Sequence, residues 1–524
     1  MQSQRHGMYR TLIILETCLL LAASMLADDS LPTVEMKADR TMVYPQRMDL
    51  TGEESLMDVL QMMPELMIAG YEDLISDYNL RIDNVPVNGD VRLVLSQMKA
   101  KDIAKIQVCT NTGVAKGTIG MGHVLDINMA MPDTVKGFVE GQGGFGKKQE
   151  GNGTVNVLYG SVRTDLYANA SYRYQNGHKE YVTLHMTNRF DARNRLLTYL
   201  TQQYLAMPDG HSQKIMGRAR YFHTFNEAGT ELLVLGGYQY ASDPVYTNQL
   251  PMVVLELTTP IVKGLDLMAG VEGDYLITKE KGTDNRWSVF NHDIYLQLTY
   301  ALPHWRFTAG HRVMFYNYRL TDSTSVQKRF DVRNNTDACI IYVPNNRHQI
   351  QVGYYRKYYN PAYPVEPALA DTLLWERDIN QFKVAYAYST QQLTIQPEAS
   401  FYIVEGAENF GEIGASAYWK TKWVTLTGGA NVHIAKSTVF ASVRCAPTAY
   451  LPRQWQIGLQ VIYFSSKSPL RELYGTPVYG CLSVNKQIGS FLNIGAEWHD
   501  MFDSFCKEAK VNRHAATIKV QYRF

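Results

Sequence analysis

The chain has 524 residues, of which 51 are basic and 50 acidic, giving a formal net charge of +1. That balance leaves no electrostatic footprint for a polyanion, so nucleic acid is not an expected partner. Its 35 tyrosines against 18 phenylalanines suit extended backbone and a membrane-water boundary, where an apolar ring and a wet hydroxyl are both satisfied.

At the N-terminus Arg5 and Arg10 precede an apolar run over 12–21, interrupted by Glu16, and the small residues Ala22, Ala23, Ser24 and Ala27 follow. This layout predicts a secretory signal peptide over 1–27, cleaved after Ser24 or Ala27, with Cys18 removed along with it. Five cysteines remain, Cys109, Cys339, Cys445, Cys481 and Cys506. Their odd number and the lack of a C-x-x-C argue against a disulfide framework and against a zinc site. No later stretch has the apolar length of a membrane helix, so a mature chain that spans a membrane must do so as a closed barrel.

From 50 to 130 the pattern is mixed. Leu56, Val59, Leu60 and Met63 recur at helical spacing behind a polar start, and Pro64 closes the run. Leu80, Ile82 and Val85 predict a short strand entering a turn that begins at Pro86, and Val94, Leu95 and Met98 predict a second helical piece. Ile103, Ile106 and Val108 mark another strand, Gly113, Gly117, Gly120 and Gly122 break the chain, and 124–129 reads as a last strand. The expectation is a small α+β domain over 39–132.

Beyond Pro132 the period becomes two. Leu166, Ala168, Ala170, Tyr172 and Tyr174 alternate with polar residues, as do Val182, Leu184 and Met186; Leu265, Leu267, Ala269 and Val271; and Val424, Leu426, Ala430, Val432 and Ile434. In the final run Ala516, Ile518, Val520, Tyr522 and Phe524 share one face, with Thr517, Lys519, Gln521 and Arg523 on the other. A propeller or solenoid would repeat at a fixed period, and none is found; a sandwich of this size would exceed a single core. The fold class expected is mainly β, a large antiparallel transmembrane barrel over 133–524. With roughly 9 to 11 residues per crossing and turn signals at Asn176-Gly177, Asp209-Gly210, Lys281-Gly282 and Asn345-Asn346, about 20 to 22 strands are expected, joined by mostly short loops. Barrels of that width need a plug. Tyr522 and Phe524 form the C-terminal signal for the barrel assembly machinery, and the location is the cell outer membrane, in contact with its lipid.

Several segments resemble TonB-dependent receptors. Ser55-Leu56-Met57-Asp58-Val59-Leu60-Gln61-Met62-Met63-Pro64-Glu65-Leu66 resembles the Leu-rich plug turn of that family. Leu80-Arg81-Ile82-Asp83-Asn84-Val85-Pro86-Val87-Asn88 is similar to its Ile-Asp-Gly-Val-Pro-Val strand and turn, with Asn84 in place of Gly. Lys101-Asp102-Ile103-Ala104-Lys105-Ile106-Gln107-Val108 is similar to Asp-Ile-Glu-Arg-Ile-Glu-Val, and Gly117 and Gly120 fall in its Gly-rich turn. Upstream, Leu31-Pro32-Thr33-Val34-Glu35-Met36-Lys37-Ala38 resembles a TonB box within an extended segment over 28–38. The resemblance implies a plug over 39–132 and a TonB complex that pairs with Thr33, Val34, Glu35, Met36, Lys37 and Ala38 by strand addition. The plug is short for the family, lacking most of the strand between its first helix and the Ile-Asp segment.

Function then reads as energised uptake of a scarce nutrient, an unknown small ligand bound between the outer loops and the plug. The alternatives are a passive channel narrowed by its N-terminal domain, and a barrel serving as an assembly or adhesion platform. An enzyme is not expected: His-Glu-x-x-His, Gly-x-Ser-x-Gly, phosphate-loop and calcium-loop spacings are all missing. No cofactor or metal is expected, and His223 and His292 are expected to face lumen or loop water. Arg81 and Asp83 are candidates for plug-barrel ion pairs, and the lumen-facing charges Asp266, Glu272 and Arg173 are expected either to hold the plug or to line a path.

Overall fold

The structure is a computed structural model that describes residues 34–37, 40–47, 56–61, 78–82, 85–86, 98–109, 114, 123–130, 135–145, 150–174, 177–207, 210–321, 325–345, 347–359, 377–390, 392–468, 477–489, 491–499 and 516–523. The expected signal peptide lies outside these residues, as do Thr33, Ala38, Pro64, Asp83, Gly117, Gly120 and Phe524 and most of the second helical piece.

Alternating side chains give a strand one wet and one apolar face, and a row of such strands leaves unpaired backbone only at its two edges. Here the edges meet. Twenty-two antiparallel strands, β7 to β28, form a closed barrel, in which β7 (Lys136–Phe145) pairs with β28 (Ala516–Arg523), placing Gln521 opposite Glu140 and Ile518 opposite Gly143. Closure leaves the wall without an open edge strand, as a spanning sheet requires. The fold class is as expected, and the strand number sits at the top of the expected range. Gly282, within the predicted Lys281-Gly282 turn, has a φ of +78°, a left-handed conformation that glycine adopts without a Cβ clash.

An even strand number brings both ends of the barrel to one rim, the periplasmic one. The wall is uneven in height. Strands β14 (Tyr246–Val262), β15 (Leu265–Glu280), β16 (Arg286–Ala301), β17 (Trp305–Thr321) and β18 (Val326–Asn345) run 16 to 20 residues, whereas β27 (Leu492–His499) and β28 have 8.

Outside, Leu184, Val253, Leu255, Ile294, Val352 and Val520 belong to a belt of exposed apolar residues. A continuous apolar exterior on a closed barrel is a lipid-facing surface, and the molecule is an outer-membrane barrel. The tyrosines divide between two environments. Tyr172, Tyr238, Tyr300 and Tyr522 are exposed outside, but Tyr167, Tyr181, Tyr199, Tyr295 and Tyr418 are fully buried inside, so the composition reports a filled lumen as well as a membrane boundary. His292 departs from expectation: it stands on the outward face of β16, stacked between Phe290 and Phe315 at centroid distances of 5.2 and 4.8 Å.

The lumen holds a second sheet. Its strands are β1 (Val34–Lys37), β2 (Arg40–Val43), β3 (Tyr78–Ile82), β4 (Val85–Pro86), β5 (Ile103–Cys109) and β6 (His123–Met129), in the order β1-β2-β5-β6-β3-β4. A one-sided sheet must cover its apolar face, and α1 (Leu56–Gln61) does so with Leu56, Val59 and Leu60, all fully buried. Leu80, Ile82, Ile103, Ile106, Leu125 and Ile127 join them, and the same cluster runs on into Tyr167, Tyr181, Tyr199 and Met216 of the barrel wall. At roughly 1.5–3 kcal/mol per fully buried large apolar side chain, burial on both sides makes the plug and the wall one core.

Candidate functional site

The described part of the box-like segment is β1, an edge strand of the plug. It pairs antiparallel with β2, Val34 opposite Val43 and Met36 opposite Thr41, and it packs beside β20 (Arg377–Ser389) and β21 (Leu393–Val404) of the wall. One ladder of hydrogen bonds is satisfied by β2; the other side of β1 is the sheet edge.

The plug residues singled out in the sequence gather in the lumen. Leu60, Ile103, Ile106 and Val108 are core, and Val85 and Pro86 form β4, paired with Ile82 and Arg81. Arg81 lies opposite Asp126 in the parallel β3-β6 ladder. Its charge acts on Arg218 and Arg220 of β12 (Gly210–Thr224) and on Glu256 of β14.

Two contacts that single-sequence reading did not find fasten the plug. On β17 the lumenal phase carries Gly310 and Arg312. A Cβ on Gly310 would stand 2.5 Å from Val114 Cγ2, so the missing side chain is the seat for that plug residue. Arg312 Nη1 donates to the Val114 carbonyl at 3.3 Å; its Nε donates to Asp293 at 2.8 Å and its Nη2 to Glu272 at 2.6 Å. Alongside, Tyr295 Oη donates to Glu256 at 2.8 Å. Glu272, expected either to hold the plug or to line a path, is part of this latch. The second contact is at the seam: Glu140 of β7 pairs with the plug's Lys99 and lies 3.8 Å from Lys519 of β28, while Lys99 stands 5.0 Å from the centre of the Phe138 ring. The available signal was phase, since Glu140, Arg312 and Lys519 are charges at inward positions of alternating runs.

Near this seat, burial pushes the Asp102 carboxyl up to about 7, against the lowering pull of Lys99 and Lys136. A carboxyl raised in the folded state binds its proton more tightly there than in the unfolded chain. Its contribution is thus complete below the usual value near 3.8 and is lost as pH rises toward 7. Asp102→Asn is expected to flatten that slope and leave the plug more stable than wild type at pH 8, as read by urea titration of plug hydrogen exchange at pH 5 and 8. An unchanged slope would show that Asp102 ionises normally.

Toward the extracellular rim the lumen carries two aromatic groups. Tyr402 (β21), Phe410 of β22 (Phe410–Lys420), His433 of β23 (Val424–Ala435) and Phe440 of β24 (Val439–Leu451) stack in sequence at 4.4, 4.7 and 4.5 Å. Glu412 ties the row together, accepting from Tyr402 Oη at 3.2 Å and facing His433 Nδ1 at 3.4 Å. On the tall side Arg329 and Arg333 lie over Tyr318 and Tyr358, at 5.6 and 4.8 Å from the ring centres, and both arginines pair with Asp331. Among the described residues no three His, Cys, Asp or Glu side chains converge as a metal site.

Against known proteins, no family model matches the sequence, and no curated protein sequence matches it. Solved structures do. The siderophore receptor PirA from Pseudomonas aeruginosa superposes with a TM-score of 0.69 at 9% identity, covering 94% of this chain and 100% of that one. The ferric-catecholate import receptor Fiu from E. coli K12 gives 0.69 at 11%, over 94% and 97%, and the copper transporter OprC gives 0.68 at 11%, over 95% and 100%. The chain therefore has the plug-and-barrel fold of TonB-dependent receptors, with a sequence far from these neighbours.

Proposed function

We propose that this chain is an energised importer of the outer membrane, which captures a small solute at the lumenal mouth and admits it when the TonB complex draws on the N-terminal segment. The observation that carries this reading is a folded sheet held inside a closed barrel by a buried ion pair and a buried hydrogen bond, with the edge strand β1 as its first element. A wall that needed only to be narrowed would not require a folded sheet packed into it. The likeness to siderophore, iron and copper receptors and transporters supports import over catalysis. Val34 to Lys37 supply the extended backbone that strand addition uses, with Thr33 and Ala38 beside them in the sequence. Lipid contacts the outer belt, and the assembly machinery reads the last strand.

The test needs no ligand. The purified full chain is expected to hold no steady conductance in planar bilayers with potassium chloride. It is also expected to be captured by an immobilised TonB C-terminal domain, with deletion of 31–38 ending capture while the barrel stays folded. Steady conductance without capture would establish the passive-channel reading instead.

A further inference from the structure

Lys214 and Arg218 project from the lumenal face of β12, four residues apart on one side of the strand. β12 descends from the extracellular rim at Gly210, so Lys214 lies nearer the mouth, Arg218 deeper, and Arg220 deeper still where Arg81 of the plug acts on it. The row forms a descending track of positive charge.

Among the described residues neither Lys214 nor Arg218 takes part in an ion pair, and Arg218 Nε is buried with no hydrogen-bond partner. Their positive neighbours oppose them: Arg218 acts on Lys214, and Arg81 acts on Arg218. The carboxylate whose field reaches Arg218 is Glu272, and Glu272 is already engaged by Arg312. The wall is also shaped around Arg218. On β13 (Glu231–Ser242) a Cβ at Gly237 would stand 3.0 Å from Arg218 Cγ and 2.9 Å from Met252 Cγ, so glycine keeps open the groove in which the arginine stem lies. Cations confined in a lumen without a counter-charge are unfavourable, and a visiting oxyanion offsets that cost through charge-assisted hydrogen bonds.

We propose that Lys214 and Arg218 form an oxyanion-binding subsite on the path from mouth to plug, for a solute bearing carboxylate or phosphate groups. The assignment rests on the import reading only in placing the subsite on a route; binding itself is measured independently of TonB. The experiment is calorimetric titration of the full chain in detergent micelles at low ionic strength with inorganic pyrophosphate, with citrate, and with raffinose as a neutral polyol. Pyrophosphate and citrate are expected to bind and raffinose not to. The K214Q/R218Q double variant should weaken both by at least about tenfold, Arg218→Lys should fall between, and added salt should weaken wild type. Gly237→Ala keeps every charge and crowds the arginine stem together with the apolar Met252 side chain, so it too should weaken binding, and it decides the matter if the double variant does not fold. Equal affinity in wild type and the folded double variant, or no oxyanion binding by wild type, overturns the subsite. Capture by the TonB domain would stand or fall separately.

Discussion

Alanine in place of Arg312 is expected to loosen the seating of the plug by about 1.5–3 kcal/mol, the usual worth of a buried hydrogen bond to a charged group. The guanidinium is 5% exposed and Asp293 2%, so neither is screened by bulk water as a surface pair would be. One planar group serves three acceptors on three elements, Asp293 of β16, Glu272 of β15 and the Val114 carbonyl of the plug. Removing it leaves two carboxylates facing each other and a plug carbonyl with no donor from the wall. Arg312→Lys should recover only part of the loss, because an ammonium keeps the charge and not the fork. Gly310→Val tests the steric half of the same latch: it alters no charge but fills the space that Val114 occupies. Hydrogen exchange and limited proteolysis of the plug are the readouts, with migration of the unboiled barrel on a gel as the control for the wall. Plug protection equal to wild type in Arg312→Ala would show that the latch holds nothing.

The barrel was legible because lipid outside and water or plug inside impose a period of two on every crossing, and that period survives without any particular residue. Leu166 to Tyr174 and Ala516 to Tyr522 announce it from a single face, and the outward positions found there are those expected. Several plug strands were legible for a related reason, since Ile103, Ile106 and Val108 must reach one small core. The latches were not. Arg312 and Val114 lie 198 residues apart, and Lys99 and Glu140 meet across the boundary between two sheets; nothing local in either segment requires the other. His292 was misplaced because a polar side chain was assigned to water, whereas flanking Phe290 and Phe315 rings supply a stacked site on the outer wall. Gly237 and Gly310 read as ordinary strand glycines until the side chains that lie against them are seen.

Glu140→Gln should be the other large lesion, and of a different kind, because this carboxylate joins three parts of the molecule at once. It stands on the first barrel strand, faces Lys519 on the last, and pairs with Lys99 of the plug, whose side chain is 0% exposed. A neutral amide of the same shape removes the charge on which the two ammonium groups converge, and a loss of about 3–5 kcal/mol is expected. Unlike Arg312→Ala, the change touches the closing ladder as well as the plug, since Glu140 lies opposite Gln521 in the β7-β28 pair. Plug protection and barrel heat-resistance on the gel should therefore fall together in Glu140→Gln, but separately in Arg312→Ala. A double-mutant cycle with Lys99→Gln apportions the effect: a coupling of about 0.5–3 kcal/mol assigns it to the plug contact. A sum of independent losses would assign it to the seam alone, and the first strand of the barrel would then have no part in holding the plug.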